Sequence, residues 1–329
     1  MRNILSVSFA PHIQERTSIR ATAYRTIGAA APAVLVGFYY FGWRAIIVTI
    51  LAMLSAMATE AGIQRLMGQE PSYKDGTAAL TGLLLAMLLP SATPWWAVII
   101  GTAVAMFIGR MLFGGYGANP FNTALVGLVV LQLSWPHSVN VFYEPTPLFQ
   151  GLGALSPLDA SELPLGILGF GDKGGILDMY PLRDALIGGI PGGIGSTSVI
   201  ALALGGLYLI WKKIVAWQIP AGFLGGMFVF ALICWYTDSA GETYANPFYH
   251  LIFGYSMIGA FFLAPELTTS PYTSVAAWLY GIGAGVLTMI IRYWGANQEG
   301  VIFAILFLNA LTPMLDRLRV PSYGRVKTA

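Results

Sequence analysis

The stretch Lys74–Pro90, KDGTAALTGLLLAMLLP, ends a short apolar helix on Leu89-Pro90, and Ile258–Glu266, IGAFFLAPE, ends another on Ala264-Pro265. Each is succeeded by the same pattern. A longer apolar run comes next, then Tyr116-Gly117-Ala118-Asn119-Pro120 in the first case and Trp294-Gly295-Ala296-Asn297-Gln298 in the second, before a last apolar run. One unit is therefore used twice. The copies are offset by five helices, an odd number, so the second crosses a membrane in the opposite sense to the first. Such a pair is an inverted repeat.

Outward from those two stretches, apolar runs between polar or Gly/Pro breaks predict helices near Ile27 to Trp43, Ala45 to Gly62, Ala78 to Leu89, Trp95 to Leu112 and Thr123 to Trp135. A second set runs near Ser198 to Trp211, Ala221 to Trp235, Phe248 to Ala264, Ser274 to Ile291 and Val301 to Met314. The fold class is all-α integral membrane, with about ten transmembrane helices in two inverted five-helix repeats. Residues 1–135 form the first half with helices one to five, 136–191 a long loop rich in Gly, Pro and Asp, and 192–329 the second half. That loop is too polar to span a membrane.

Composition agrees. The 329 residues are 56% hydrophobic and 10% charged, against about 25% charged in an ordinary soluble domain. No short alternating strands suggest a barrel. The opening MRNILSVSFAPHIQERTSIR is polar and basic without an apolar stretch before a small-residue cleavage site, so no removed signal peptide is expected. The single cysteine, Cys234, lies in an apolar run and reads as a small buried hydrophobe, which leaves no cysteine framework for zinc or iron–sulfur. His12, His137 and His250 fall near helix ends or in loops, which argues against a bis-histidine haem. No catalytic set, metal site or nucleic-acid partner is expected.

With an even number of spans both ends share a side. Arg2, Arg16, Arg20, Arg65, Lys74, Lys212, Lys213, Arg317, Arg319, Arg325 and Lys327 collect there, while the opposite loops hold chiefly Arg44, Lys173 and Arg183. The positive-inside rule puts both termini in the cytoplasm of a bacterial inner membrane and the 136–191 loop outside.

Ionisable residues within apolar runs are functional candidates because burial in lipid is costly. Here they are Glu60, Arg110, Arg292 and Glu266. Arg110 and Arg292 occupy matching places, each a few residues ahead of its Gly-Ala-Asn loop; each reads either as a side chain snorkelling from a helix end or as an ion or charge site. The run Gly192 to Ser198 enters the sixth helix, where free N–H groups and the hydroxyls of Ser196 and Thr197 suit a phosphate or simply cap the helix.

Several long motifs, in order over essentially the whole chain, resemble the RnfD and NqrB family of membrane subunits from ion-pumping respiratory oxidoreductases. They are KDGTAALTGLLLAMLLP from Lys74, FGGYGANPFNTALVG from Phe113, IGGIPGGIGSTS from Ile187, IGAFFLAPE from Ile258 and GVIFAILFLNALTPMLD from Gly300. The short central loop is more like RnfD. The resemblance implies a flavin-carrying membrane subunit of an Rnf-type ion-translocating electron transport complex, relaying electrons between ferredoxin and NAD with Na+ or H+ movement. Such a chain works as part of a translocase with other membrane and peripheral subunits, including an FMN-bearing G subunit and iron–sulfur subunits.

The family attaches FMN through its phosphate to a threonine in a motif close to D-G-x-S-G-A-T. Here the segment is Gln150 to Asp159, QGLGALSPLD, which puts Ser156 at the attachment position, with Gln150 in place of the aspartate; Thr146 is the alternate. A hydroxyl is retained, so a phosphoester to FMN is chemically open at either of the two, with FMN held only noncovalently, or absent, as the alternatives. Flavin contacts are expected from Gly193, Ser196 and Thr197, and noncovalent riboflavin beside Asn119 and Asn122, whose amides suit a flavin edge. The family's Thr-Asp-Pro becomes Pro265-Glu266-Leu267, which makes Glu266 an ion-site candidate. The alternatives are a small-solute channel or secondary transporter with the same inverted plan, or a scaffold subunit without cofactor; bound flavin separates them.

Overall fold

The computed structural model describes residues 18–70, 72–146, 158, 162–165, 179–238, 244–295 and 299–319. Helices supply the regular structure of the described residues. They are α1 Ile19–Leu66, α2 Thr77–Leu88, α3 Trp95–Gly109, α4 Thr123–Ser134, α5 Pro136–Val139 and α6 Leu182–Ile187. After these come α7 Val199–Trp211, α8 Gln218–Thr237, α9 Pro247–Ile252, α10 Ser256–Ile258 running into a π-helical turn over Gly259–Leu263, α11 Ser274–Trp294 and α12 Gly300–Leu315. Among the described residues, five helices are long and apolar enough to cross a membrane: Ile19–Leu66, Trp95–Phe113, Gln218–Thr237, Ser274–Trp294 and Gly300–Leu318.

The surface is built inside out relative to a soluble protein. Leu35, Ile47, Leu54, Leu133, Leu204, Leu207, Val229 and Phe307 are exposed, whereas Glu60, Arg110, Asn122, Arg292 and Asn309 are buried. Only a hydrocarbon surround makes that distribution favourable over so large an area.

Helix α1 has 48 residues, about 72 Å at 1.5 Å per residue, more than twice the roughly 30 Å hydrocarbon core. It is broken at Gly42, whose φ of 63° and ψ of −151° belong to glycine. The chain folds back there, bringing Tyr24 beside Gly76 and Glu60 beside Ser72. The apolar runs of the sequence part at the neighbouring residue. Close contact of the returning stretch with α2 depends on Gly82, because a Cβ there would lie 2.5 Å from the Ala52 carbonyl oxygen.

Caps start the apolar helices. Ser18 accepts from the Ala21 N–H, Asn122 from Leu125, Ser198 from Ala201 and Thr273 from Ala276, at 3.1 to 3.3 Å. At the centre of the molecule the two halves complete each other. The Ile194 and Gly195 N–H groups donate to the Leu89 and Met87 carbonyls at 3.0 Å, and the Tyr255 hydroxyl donates to Leu88 O at 2.7 Å, closing the end of α2. In return Asn122 Nδ2 donates to Leu263 O at 3.0 Å, at the end of the π-helical turn. Backbone groups at broken helix ends have no intrahelical partner, so each half supplies what the other lacks.

One expected element differs. In place of one helix over Phe248 to Ala264, α9 stops at Ile252, Phe253 is extended, Gly254 has φ +76° and a new start follows at Ser256. Arg292 is the reason: Nη1 donates to His250 O at 2.7 Å and Nη2 to Phe253 O at 3.4 Å and Ser256 Oγ at 3.0 Å, so its guanidinium satisfies the carbonyls of the interrupted turn. The central segment also holds short helices, α5 and α6, where the sequence suggested only loop.

Candidate functional site

Two buried arginines mark the two ends of the molecule. At the end where α1 starts and finishes, Arg110 Nη2 lies 2.8 Å from Glu60 Oε1 and donates to Thr77 Oγ1 at 2.8 Å. Its guanidinium stands 4.8 Å from the centroid of the Tyr116 ring, and Ser72 Oγ donates to Glu60 Oε1 at 3.3 Å. Both charged side chains are almost fully buried, so neither snorkels to a surface. Thr77 and Tyr116 also border a small cavity of about 50 Å³ with Pro265 and Glu266, whose carboxyl accepts from Thr269 Oγ1 at 3.4 Å.

Asn119 and Asn122 lie nearby and bond within the protein. Asn119 Nδ2 donates to Thr268 Oγ1 at 2.9 Å and to Phe121 O at 3.2 Å; Asn122 caps α4 and donates to Leu263. Their amides join the two halves of the chain.

The larger cavity lies at the opposite end, against the central segment, and encloses about 280 Å³. Ile190, Pro191 and Gly192 form one side with Ser196 and Thr197, Gln132 and Asn140 another, and Gly254, Tyr255 and Glu299 a third. Leu163, Pro164 and Leu165 of the central segment close over it. The Gly192–Ser198 loop is held tightly: Gly193 sits on the Met87 and Leu88 carbonyls, where a Cβ would come within 2.6 Å, and Ser196 Oγ donates to Gly193 O at 3.1 Å. Ser198 caps α7, leaving the cavity's hydroxyl chemistry to its neighbours.

Among the described residues of this wall, two uncharged buried side-chain atoms stand without a hydrogen-bond partner, Thr197 Oγ1 and Gln132 Oε1. Native structures rarely strand such groups, so a ligand that satisfies them is the physical expectation. Apolar faces from Phe142, Ile190 and Leu165 beside a few hydroxyl and amide groups suit a planar heteroaromatic ring with a polar edge. Of the residues picked out from sequence, Ser196 and Thr197 line this cavity and Gly193 supports it. Thr146 is not in the wall; its N–H donates to Tyr40 O at 3.0 Å. Ser156 lies outside the described residues, but Leu158, two residues on, donates its N–H to the carbonyl of Phe142, a wall residue, at 3.0 Å.

Glu299 was not singled out by sequence. Its Oε1 accepts the Tyr255 N–H at 2.9 Å and its Oε2 lies 3.8 Å from Arg292 Nη2. Burial pushes its carboxyl up to about 7, with Arg292 and the Tyr255 N–H drawing it back. An arginine inside an apolar run demands a counter-charge, which was the one available signal.

Comparison with known proteins matches residues 6–324 to the NQR2, RnfD, RnfE family. The chain belongs to that family. Among curated relatives it is 37% identical over 314 residues, 95% of this chain and 93% of the other, to the D subunit of the Na+-translocating ferredoxin:NAD+ oxidoreductase complex of Acetobacterium woodii. It is 35% identical over 326 residues, 97% of this chain and 96% of the other, to the D subunit of the proton-translocating ferredoxin:NAD+ oxidoreductase complex of Clostridium ljungdahlii. Against the D subunit of the ion-translocating oxidoreductase complex of Klebsiella pneumoniae the identity is 33% over 350 residues, 98% and 99% of the two chains. These family members align end to end with this one.

Proposed function

We infer that the chain is the D-type membrane subunit of an Rnf-type ion-translocating oxidoreductase, passing electrons between ferredoxin and NAD within a complex that moves Na+ or H+. It is a translocase subunit and does no catalysis alone. Its relatives are named for different ions, so the likeness carries over the coupling and not the ion. The chain sits in a bacterial inner membrane with ten spans in two inverted five-helix halves and both termini cytoplasmic; the Gly42 break within α1 and the reciprocal bonds between the halves support that plan. Its neighbours are an FMN-bearing G subunit and iron–sulfur subunits.

The cavity takes a flavin. The observation that carries this reading is the pair of stranded polar atoms, Thr197 Oγ1 and Gln132 Oε1, in a wall that also holds apolar faces. Flavin supplies reversible one- and two-electron chemistry when bound, and the protein supplies position and electrostatics. Thr197 and Gln132 orient the polar edge, Gly192 admits close backbone approach, and Leu163 to Leu165 exclude water. The segment tied down by Leu158 carries the hydroxyl of Ser156, the attachment point for an FMN phosphate, with Thr146 the alternate. Riboflavin beside Asn119 and Asn122 is the second flavin of this reading.

Intact-mass analysis of the purified, denatured chain, with peptide mapping of residues 136–191, tests it. An added FMN phosphoester on the Ser156 or Thr146 peptide is expected, lost in a Ser156→Ala, Thr146→Ala double variant. A chain without any flavin, from a host that flavinylates its other subunits, would sink the reading.

A further inference from the structure

Glu299 is the acidic group among the described residues of the larger cavity's wall, and its setting differs from that of an ordinary buried ion pair. Arg292 directs Nη1 to His250 O and Nη2 to Phe253 O and Ser256 Oγ, so the guanidinium is committed to the interrupted turn and stands 3.8 Å from the carboxylate. The Tyr255 backbone N–H donates to Glu299 Oε1 at 2.9 Å. Gly254, with φ +76°, allows both charged groups to approach the turn; a Cβ there would come within 2.8 Å of Arg292 Nη2. The Glu299 side chain is 15% exposed. It is therefore largely desolvated, paired with Arg292 at the long end of ion-pair range, and in the wall of the cavity.

We propose that Glu299 exchanges a proton in response to charge in the cavity, taking one up as negative charge arrives there. This rests on the reading of the cavity as a flavin site. The balance is one electron in, from an iron–sulfur or flavin donor of a partner subunit, and one proton in, from water, converting the Glu299 carboxylate to the neutral acid with no bond to the cofactor made or broken. Like charges sharing a low-dielectric wall repel strongly, so the carboxylate would be neutralised in preference. Among the described residues, Arg292 and Tyr255 act on it directly, and both have fixed roles: Arg292 holds carbonyls and Tyr255 offers its N–H; behind Arg292, His250 Nε2 and the Tyr293 hydroxyl bond each other at 3.1 Å. A carboxyl that burial has already raised to about 7 changes state in the physiological range.

The experiment is a spectroelectrochemical titration of flavin in the purified complex between pH 5.5 and 8.5, with reduced-minus-oxidised infrared difference spectra. In the wild type the flavin potential should fall as pH rises through neutrality, and reduction should add a protonated-carboxyl band that shifts in heavy water. Glu299→Gln should flatten the potential in that window and remove the band at unchanged flavin content; Glu299→Asp should restore both. A slope and band unchanged in Glu299→Gln would overturn the proposal while leaving the flavin reading intact. Should Glu299→Gln fail to accumulate, the wild-type spectrum decides, since no carboxyl band on reduction overturns the proposal alone. A complex with no flavin in this chain overturns both.

Discussion

Arg110 with Glu60 and Arg292 with Glu299 place the same two residue types at opposite ends of the molecule, and they are not equivalent. Arg110 meets its acid at 2.8 Å, and Glu60 is fully buried with Ser72 and Gln64 around it. Arg292 meets its acid at 3.8 Å because three backbone and hydroxyl oxygens claim its hydrogens, and Glu299 borders a cavity. The first pair locks α1, α2 and the loop after α3 together. The second splits its labour, with the arginine holding a broken helix and the acid left to respond to what enters the cavity. The neighbours of a buried charge decide whether it is structure or chemistry.

The largest effect is expected at the locked end. Arg110→Met strands Glu60 in the interior, a loss of about 3–5 kcal/mol for half a buried pair. The expected outcome is a large fall in thermal unfolding temperature in detergent, partly rescued by a second Glu60→Gln change. At the other end Arg292→Gln removes hydrogen bonds to His250 O, Phe253 O and Ser256 Oγ, about 1–3 kcal/mol in all. Hydrogen exchange should then quicken over residues 247–258 while α2 stays protected.

The dependence on pH tests the second pair directly. The folded state holds a proton on Glu299 up to about pH 7, whereas an unfolded glutamate releases it near its ordinary value of about 4.3. The folded state binds more protons between those values, so this contribution to stability is present in acid and lost as pH rises toward 7. Wild-type unfolding temperature should therefore fall between pH 5 and 7.5, and Glu299→Gln should lessen that fall. A matching profile in the two proteins would remove the distinction drawn between the pairs.

The smallest effect is expected at Asn119→Leu. It deletes the bond to Thr268 and costs about 1 kcal/mol, with covalent FMN unchanged because the amide lies at the opposite end of the molecule from the larger cavity. Loss of a flavin in this variant, measured by extraction and absorbance, would instead assign the amide to a cofactor.

The features legible in the sequence were the local ones. Apolar runs marked the helices, and the two arginines stood out because charge within such runs is rare. The break at Gly42 was legible to within a residue or two because Trp43-Arg44 interrupts the run. Partners distant along the chain were not. Glu60 is 50 residues from Arg110, and the Asn122 amide reaches Leu263, 141 residues away, so the part these side chains play in joining distant stretches could not be read from the sequence. The interruption after Ile252 was hidden for a related reason: Phe248 to Ala264 is apolar enough for one helix, and only a guanidinium from α11 makes the interruption stable. In the larger cavity, Ser196 and Thr197 were visible as hydroxyls before a helix, whereas Gln132 and Glu299 join them only once segments distant along the chain come together.

The exchange of hydrogen bonds across the centre also sets an order of events during synthesis. The carbonyls of Met87, Leu88 and Leu89 leave the ribosome long before Tyr255 and the N–H groups of Ile194 and Gly195 that cover them. Until then the nascent first half holds an open helix end, and inside a bilayer no water could stand in for its missing partners. The first half is thus a natural client for whatever guards half-inserted segments. Two separately encoded halves should become resistant to membrane proteases only when made together.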